Sequence, residues 1–295
     1  VTSVRRADEG LGTRLVAAVR AGEVEAVRRL LESGTDPDTR TADGLPVLCL
    51  TVAGHDPAVA EALVEAGADP DRPLPDGTTP LWRAVDGGSP AVVAAVLGKE
   101  PRLRLPAPAR ERLVALARRR YEEGVAAELR RRTGAAGSAV TERVMDDAYD
   151  WVEQVTLGGL TLRSGHGAIL TSLEWAFRIL TPVDELVDRA VRAPDEDHVD
   201  WSAVCWILAE RPSDETRSAV VAHRHHPDPV HRRFVADYLR RKSFVITGSP
   251  RHAEQDAELL TAWAAEETDG ALLAKVLEAL TEYGHPGQAG VPRGA

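Results

Sequence analysis

The chain has 295 residues, 43% hydrophobic and 28% charged, with a formal net charge of −10. This is the composition of a folded soluble protein long enough for two domains, and its acidity argues against a general nucleic-acid binder, which needs basic surface to neutralise phosphates. No apolar run reaches membrane-spanning length and no secretory leader pattern opens the sequence, so no membrane association is expected. Aromatic residues are only 4% while Ala and Leu abound, which favours helices over sheets. Cys49 and Cys205 lie in different segments and read as reduced thiols, so the chain is expected to be cytoplasmic.

Residues 1–9 read as a tail. A 33-residue period then begins. Ser33–Asp38 (SGTDPD) recurs as Ala66–Asp71 (AGADPD), Asp43-Gly44 recurs as Asp76-Gly77, and Leu15, Leu48 and Leu81 share one phase. A fixed period of this length marks a stack of identical supersecondary units. Gly34 and Gly67 follow apolar helical stretches, where a left-handed residue ends a helix. Asp56-Pro57 and Ser89-Pro90 read as N-caps followed by proline in the first helical position. Thr79-Pro80-Leu81, the glycine turn and the apolar second helix within Asp76–Leu97 resemble the ankyrin repeat, with Trp82 where the family has histidine. The resemblance covers residues 10–103 as three units. It implies a partner surface on the turn tips and first helices, here Arg40, Asp43, Leu45, Asp76, Thr78, Trp82, Arg83 and Asp86.

Residues 104–138 read as capping and connecting helices and a linker. Leu113, Leu116 and Ala117 form an apolar stripe, Arg118–Arg120 and Arg130–Arg132 form basic clusters, and Thr133–Ser138 is a flexible break. The charge is correspondingly uneven, with net −4 over residues 1–104, +4 over 105–136 and −10 over 137–295.

Residues 139–284 read as a second helical array. Thr181-Pro182, Asp228-Pro229 and Ser249-Pro250 mark helix starts. The pattern gives helix pairs at 182–193 with 198–210, 213–225 with 229–241, and 250–265 with 270–283. An earlier pair is placed at 139–156 with 167–180. His226–Lys242 resembles the second helix of a HEAT-type repeat, so this half is expected to be a HEAT-like α-solenoid without a sheet after Ala139. Arg232, Arg233, Arg240 and Arg241 recur eight residues apart, near one helical face. One is expected to be structural, with the others, Arg233, Arg240 and Arg241 among them, forming a basic stripe. Residues 285–295 read as a disordered tail. The expected fold class is all-α, an ankyrin array followed by a HEAT-like array.

Three stretches bear on chemistry. The histidines of His223–His231 could bind zinc or nickel, but no cysteine lies near and they point apart on a regular backbone. Asp195–Asp200 lacks the glycine-centred loop of a calcium site. Leu157–Ala168 is glycine-rich but fits no phosphate-loop spacing, and Ser164 with His166 is no nucleophile elbow. It reads as a lengthened turn between helices. No metal, cofactor or catalytic set is therefore assigned. Tryptophans concentrate in the second half, as core fillers or as walls of a cleft. The function expected is a non-catalytic scaffold or regulatory adaptor that binds another protein through both arrays. The alternatives are an enzyme or small-molecule binder with a cleft in the second half, and a HEAT-like nucleic-acid-binding or repair protein.

Overall fold

The computed structural model describes residues 2–245 and 250–283. The chain is predominantly helical and divides into two compact units at Ile179 and Leu180, rather than at residues 138 and 139.

The first unit opens with three helix pairs: α1 (Thr2–Arg20) with α2 (Val24–Glu32), α3 (Leu48–Gly54) with α4 (Pro57–Glu65), and α5 (Pro80–Gly87) with α6 (Pro90–Leu97). Residues 2–9, expected as a tail, belong to α1. The caps form as their residue types require. Asp56, Thr79 and Ser89 accept the backbone N–H of Val59, Trp82 and Val92 at 3.1, 3.1 and 3.3 Å. Gly34 and Gly67 adopt φ of +90° and +100°, which ends α2 and α4 at little steric cost. The in-phase leucines Leu15, Leu48 and Leu81 are all buried in one core.

That core continues into the next segment. After the short α7 (Pro101–Arg104), α8 (Ala107–Glu123) and α10 (His166–Ala176) add Leu113, Leu116, Ile169, Leu170 and Leu173 to it. The apolar stripe expected at Leu113, Leu116 and Ala117 is thus the buried face of α8. Between these two helices lie α9 (Val125–Thr133) and three strands, β1 (Val140–Met145), β2 (Trp151–Leu157) and β3 (Leu160–Arg163). The strands form an antiparallel sheet in the order β1-β2-β3. The helix expected at 139–156 is therefore a hairpin, and the sheet breaks the expectation of an unbroken helical array from residue 139. The residues explain it. Val155, Leu157 and Leu162 share one face of the sheet and pack on Val125 and Leu129 of α9. Gly158 and Gly159 take φ of +58° and +80°, which a two-residue hairpin turn demands. Leu157–Ala168 is thus a turn, a strand and the start of α10, and not a lengthened loop between helices.

The closing segment meets the third helix pair at very short range. The N–H of Gly165 donates to the Gly88 carbonyl at 3.0 Å. A Cβ on Gly88, itself at φ +80°, would stand 1.8 Å from the carbonyl oxygen of Arg163.

The second unit holds three helix pairs: α11 (Val183–Val191) with α12 (Val199–Glu210), α13 (Asp214–Ala222) with α14 (Pro229–Lys242), and α15 (Pro250–Glu266) with α16 (Gly270–Tyr283). These match the three expected pairs within a few residues. Asp228 caps α14 as expected, accepting from the Val230 N–H at 2.9 Å. Ser249 and residues 285–295 lie outside the described residues. Helix α14 packs between α12 and α16, with Trp201, Phe234, Tyr238 and Leu239 buried in a core separate from that of the first unit.

Candidate protein-binding face

The turns between helix pairs of the first unit are built from short side chains that bond their own backbone. In the first turn the Thr41 hydroxyl donates to Asp43 and to the Leu45 carbonyl. The Thr41 bond holds the Asp43 carboxyl below its ordinary range. The Arg40 guanidinium donates to the Gly44 carbonyl at 2.8 Å, and Leu45 is half-buried. In the second turn, Asp76 accepts from the Thr78 N–H at 3.0 Å and its hydroxyl at 2.6 Å. Arg83 of α5 reaches back to Asp76 at 2.9 Å and to the Thr78 hydroxyl at 3.1 Å. The Thr78 hydroxyl is the main cause that brings the Asp76 carboxyl down to about 2. Both turn tips thus carry fixed charge on pinned backbone. Trp82 is half-buried, packed on the core of the unit with part of its surface left accessible.

Asp86 departs from the expected contact set. It is buried, with its carboxylate held by Arg120 at 2.9 Å and by Arg132 at 2.6 Å. Arg120 and Arg132 also pair with Glu128, which Arg131 bonds as well. Asp86 therefore ties α5 to α8 and α9 and offers nothing to a partner. Three arginines of the two basic clusters, Arg120, Arg131 and Arg132, are spent in this network, and Arg118 pairs with Glu174.

A cleft of about 770 Å³ lies beside the first turn, lined by Leu11, Val16, Arg20, Thr35 and Arg40 among others. The Thr35 hydroxyl is buried without a hydrogen-bond partner. Of these residues only Arg40 belongs to the expected site. Thr35 is in phase with Ala68 of the next unit, and this polar-for-apolar exchange within the period is the signal that marks it.

Residues 15–105 match the family model for ankyrin repeats, in three copies. This segment carries ankyrin repeats. Ankyrin repeats are protein-interaction modules by type, and the turns and first helices of this segment form the candidate face described above. The match leaves the array of residues 183–283 outside it. No curated protein matches the chain.

The second unit does not assemble the expected basic stripe. Arg241 is buried and donates to Asp237 at 2.9 Å, to Ser202 at 3.1 Å and to the Glu196 carbonyl at 3.0 Å. Arg240 bonds Asp237 at 2.8 Å. Arg233 donates to the Pro194 carbonyl and lies over the Trp201 ring. Arg232 donates to the carbonyls of His226 and Pro227. Arg233 and Arg241 thus tie α14 to the loop before α12, whereas Arg240 bonds within its own helix and Arg232 bonds the turn that precedes it.

The remaining candidates are likewise absorbed. His226 and His231 stack at 3.8 Å, and His223 stacks on His231 at 5.8 Å. Stacked rings hold their nitrogens in near-parallel planes instead of pointing them at one centre, and no metal-holding cluster occurs among the described residues. Ser164 bonds Glu153, while His166 is 1% exposed with neither ring nitrogen hydrogen-bonded. Burial pushes His166 down to about 4, and it pushes His55 down to the same value. Cys49 and Cys205 are both free and buried, and burial raises each thiol. Trp201 is fully buried with its N–H on Asp237 at 2.9 Å, so it fills a core and walls no cleft. No helix among the described residues is long and apolar enough to cross a membrane.

Proposed function

We propose that this protein is a non-catalytic, cytoplasmic scaffold or adaptor that holds another protein on its ankyrin face. The observation that carries the reading is the clamp formed by Asp76, Thr78 and Arg83. It fixes a charged turn against α5 beside a half-buried tryptophan, so binding need not order these groups, and preorganisation of this kind raises affinity. The contact set is Arg40, Asp43, Leu45, Asp76, Thr78, Trp82 and Arg83, with the cleft beside Arg40 as the place for an apolar group of the partner. Trp82 is the anchor, since exposed aromatics at interface centres carry much of the binding energy. The second array is read as HEAT-like on its stacked helix pairs, and its arginines act within it.

The test is site-specific photo-crosslinking in the native host from Leu45 and Thr78, with exposed Ala222 of α13 as control. The same protein should be captured from both ankyrin positions and not from the control. Trp82→Ala should then weaken that complex by about 1.5 kcal/mol or more. A loss below about 0.5 kcal/mol in a folded variant removes the anchor. Capture from the control alone removes the face.

A further inference from the structure

β1 is the outer strand of the sheet, while the opposite edge strand, β3, packs against α9 and α5. Five of its six residues are exposed and Val144 is half-buried. Val140 and Met145 stand 58% and 55% exposed. Its pairing with β2 runs without a bulge from Val140 to Met145, and no proline interrupts it. Alternate residues of an edge strand turn their N–H and C=O groups outward, and a regular, uncovered edge is a template for another strand. Among the described residues the devices that usually blunt such an edge are missing, apart from the charges at its centre, Glu142 and Arg143.

Those two charges select among occupants. Two copies pairing antiparallel about a two-fold axis normal to the sheet must place some residue opposite itself, because the pleat inverts between neighbours. At the middle of β1 this sets Glu142 against Glu142 or Arg143 against Arg143. Like charges directly opposite are destabilising. A second copy is therefore a poor occupant, whereas a strand of different sequence is free of this constraint.

The rows across the sheet give its chemistry. Arg143 lies opposite Glu153, with its guanidinium 3.9 Å from the centre of the Trp151 ring. Glu142 lies opposite Gln154, which lies opposite Arg163. An acid beyond Arg143 and a base beyond Glu142 would each set a charge of opposite sign next to its neighbour on β1.

We propose that the outer edge of β1 accepts an extended segment of another protein. The segment runs antiparallel, with an acidic residue opposite Arg143, a basic residue opposite Glu142, and apolar residues opposite Val140, Val144 and Met145. Main-chain hydrogen bonds supply affinity and the adjacent acid–base pair supplies register, as in strand addition generally. This surface is separate from the ankyrin face and stands or falls independently of it.

The probe is the capped peptide Ile-Val-Glu-Lys-Thr-Val, titrated into the full chain with amide NMR and hydrogen exchange as readouts. Saturable binding should shift and protect amides of residues 140–145. A peptide with Lys and Glu exchanged should bind about tenfold more weakly, the size of two cross-strand pairs reversed. Glu142→Lys should cut that preference, because it turns one favourable pair repulsive. Circular dichroism checks the fold of this variant, whose altered side chain is exposed. Equal binding of both peptides would overturn the proposal. So would protection that falls outside 140–145, or no binding at millimolar peptide. A dimer through β1 in sedimentation would overturn the choice of occupant.

Discussion

Asp38 and Asp71 are half-buried in the ankyrin turns, and each takes one arginine from farther along the chain, Arg72 of the next turn for Asp38 and Arg104 of α7 for Asp71. Asp237 and Asp256 of the second array are buried, and each gathers two cations. Asp237 holds Arg240 and Arg241, and Asp256 holds Arg217 at 2.6 Å and Lys242 at 2.7 Å. Within the first unit the same contrast appears where the repeats end, since Asp86 is buried between Arg120 and Arg132. Ankyrin units stack through apolar faces that repeat identically, so their polar links decorate the surface. Helix pairs that do not repeat identically, and the segment that closes the ankyrin stack, use buried carboxylates to fix which helix meets which. A buried carboxylate left without its cations, or the reverse, is strongly unfavourable, so such a link is specific as well as strong.

The closing contact should be the most sensitive point. Gly88→Ala places a methyl group on the backbone carbonyl of Arg163 and forces a non-glycine residue to φ +80°. Backbone clashes cannot be relieved by a rotamer change, so a loss on the order of 4 kcal/mol is expected. Denaturant unfolding of the first unit measures it, and a loss below about 1 kcal/mol would show that the closing segment docks elsewhere.

Next come the buried carboxylates. Asp237→Ala takes the charge partner from buried Arg241, which keeps only neutral acceptors on Ser202 and Glu196, and the carboxylate from the Trp201 N–H, and should cost about 3–5 kcal/mol. Asp86→Ala should cost about 3 kcal/mol, less because Arg120 keeps Glu128 and Arg132 is partly exposed. If either variant unfolds at the wild-type denaturant midpoint, the contrast drawn above fails.

Acid should separate the two units as well. His166 and His55 both belong to the first unit and both have folded-state values near 4, against 6.5 for a free histidine. The unfolded chain therefore binds protons that the folded unit refuses, and stability is full above about pH 6.5 and falls between there and about pH 4. Each histidine contributes up to about 1.4 kcal/mol per pH unit in that window. His166→Gln should flatten the pH dependence of unfolding of the first unit. An unchanged slope would mean that His166 binds its proton equally in the folded and unfolded chain.

The comparison also explains what could be read in the sequence. A 33-residue period, its glycines and its Asp-Pro and Ser-Pro caps act within a few residues, so the ankyrin units and three later helix pairs were legible. That Asp76, Thr78, Trp82 and Arg83 come together was legible too, because they lie within one turn and the helix after it. The partners of Asp86 were not, since Arg120 and Arg132 lie in helices far along the chain and nothing local links them. Arg233, Arg240 and Arg241 misled for the same reason: helical spacing shows that they share a side, and the acceptors that consume them come from elsewhere. The sheet has a local signal of its own. Two β-rich runs, Trp151–Leu157 and Leu160–Arg163, flank Gly158-Gly159, which is a hairpin pattern. Its strands were overridden by the helical bias of everything around them.

The smallest effect is expected at the ankyrin ladder. Arg72 and Asp38 keep 30% and 15% of their side-chain surface in water, and Asp38 also accepts the N–H of Asp69 at 3.0 Å. Removing the arginine leaves that backbone bond in place and lets water solvate the carboxylate. Ion pairs that stay in contact with water are worth about 0.2–1 kcal/mol and are screened by salt. Arg72→Ala should therefore cost less than about 1 kcal/mol at low ionic strength and still less in about 1 M salt. Asp237→Ala, whose carboxylate is buried, should keep most of its cost in the same salt. A double comparison of the two variants with and without salt measures this directly. If Arg72→Ala proved as costly as Asp237→Ala, or as indifferent to salt, the ladder would be as integral to the ankyrin turns as the buried carboxylate is to the second array. The division between surface links and buried links would then not follow the division between repeating and non-repeating helix pairs.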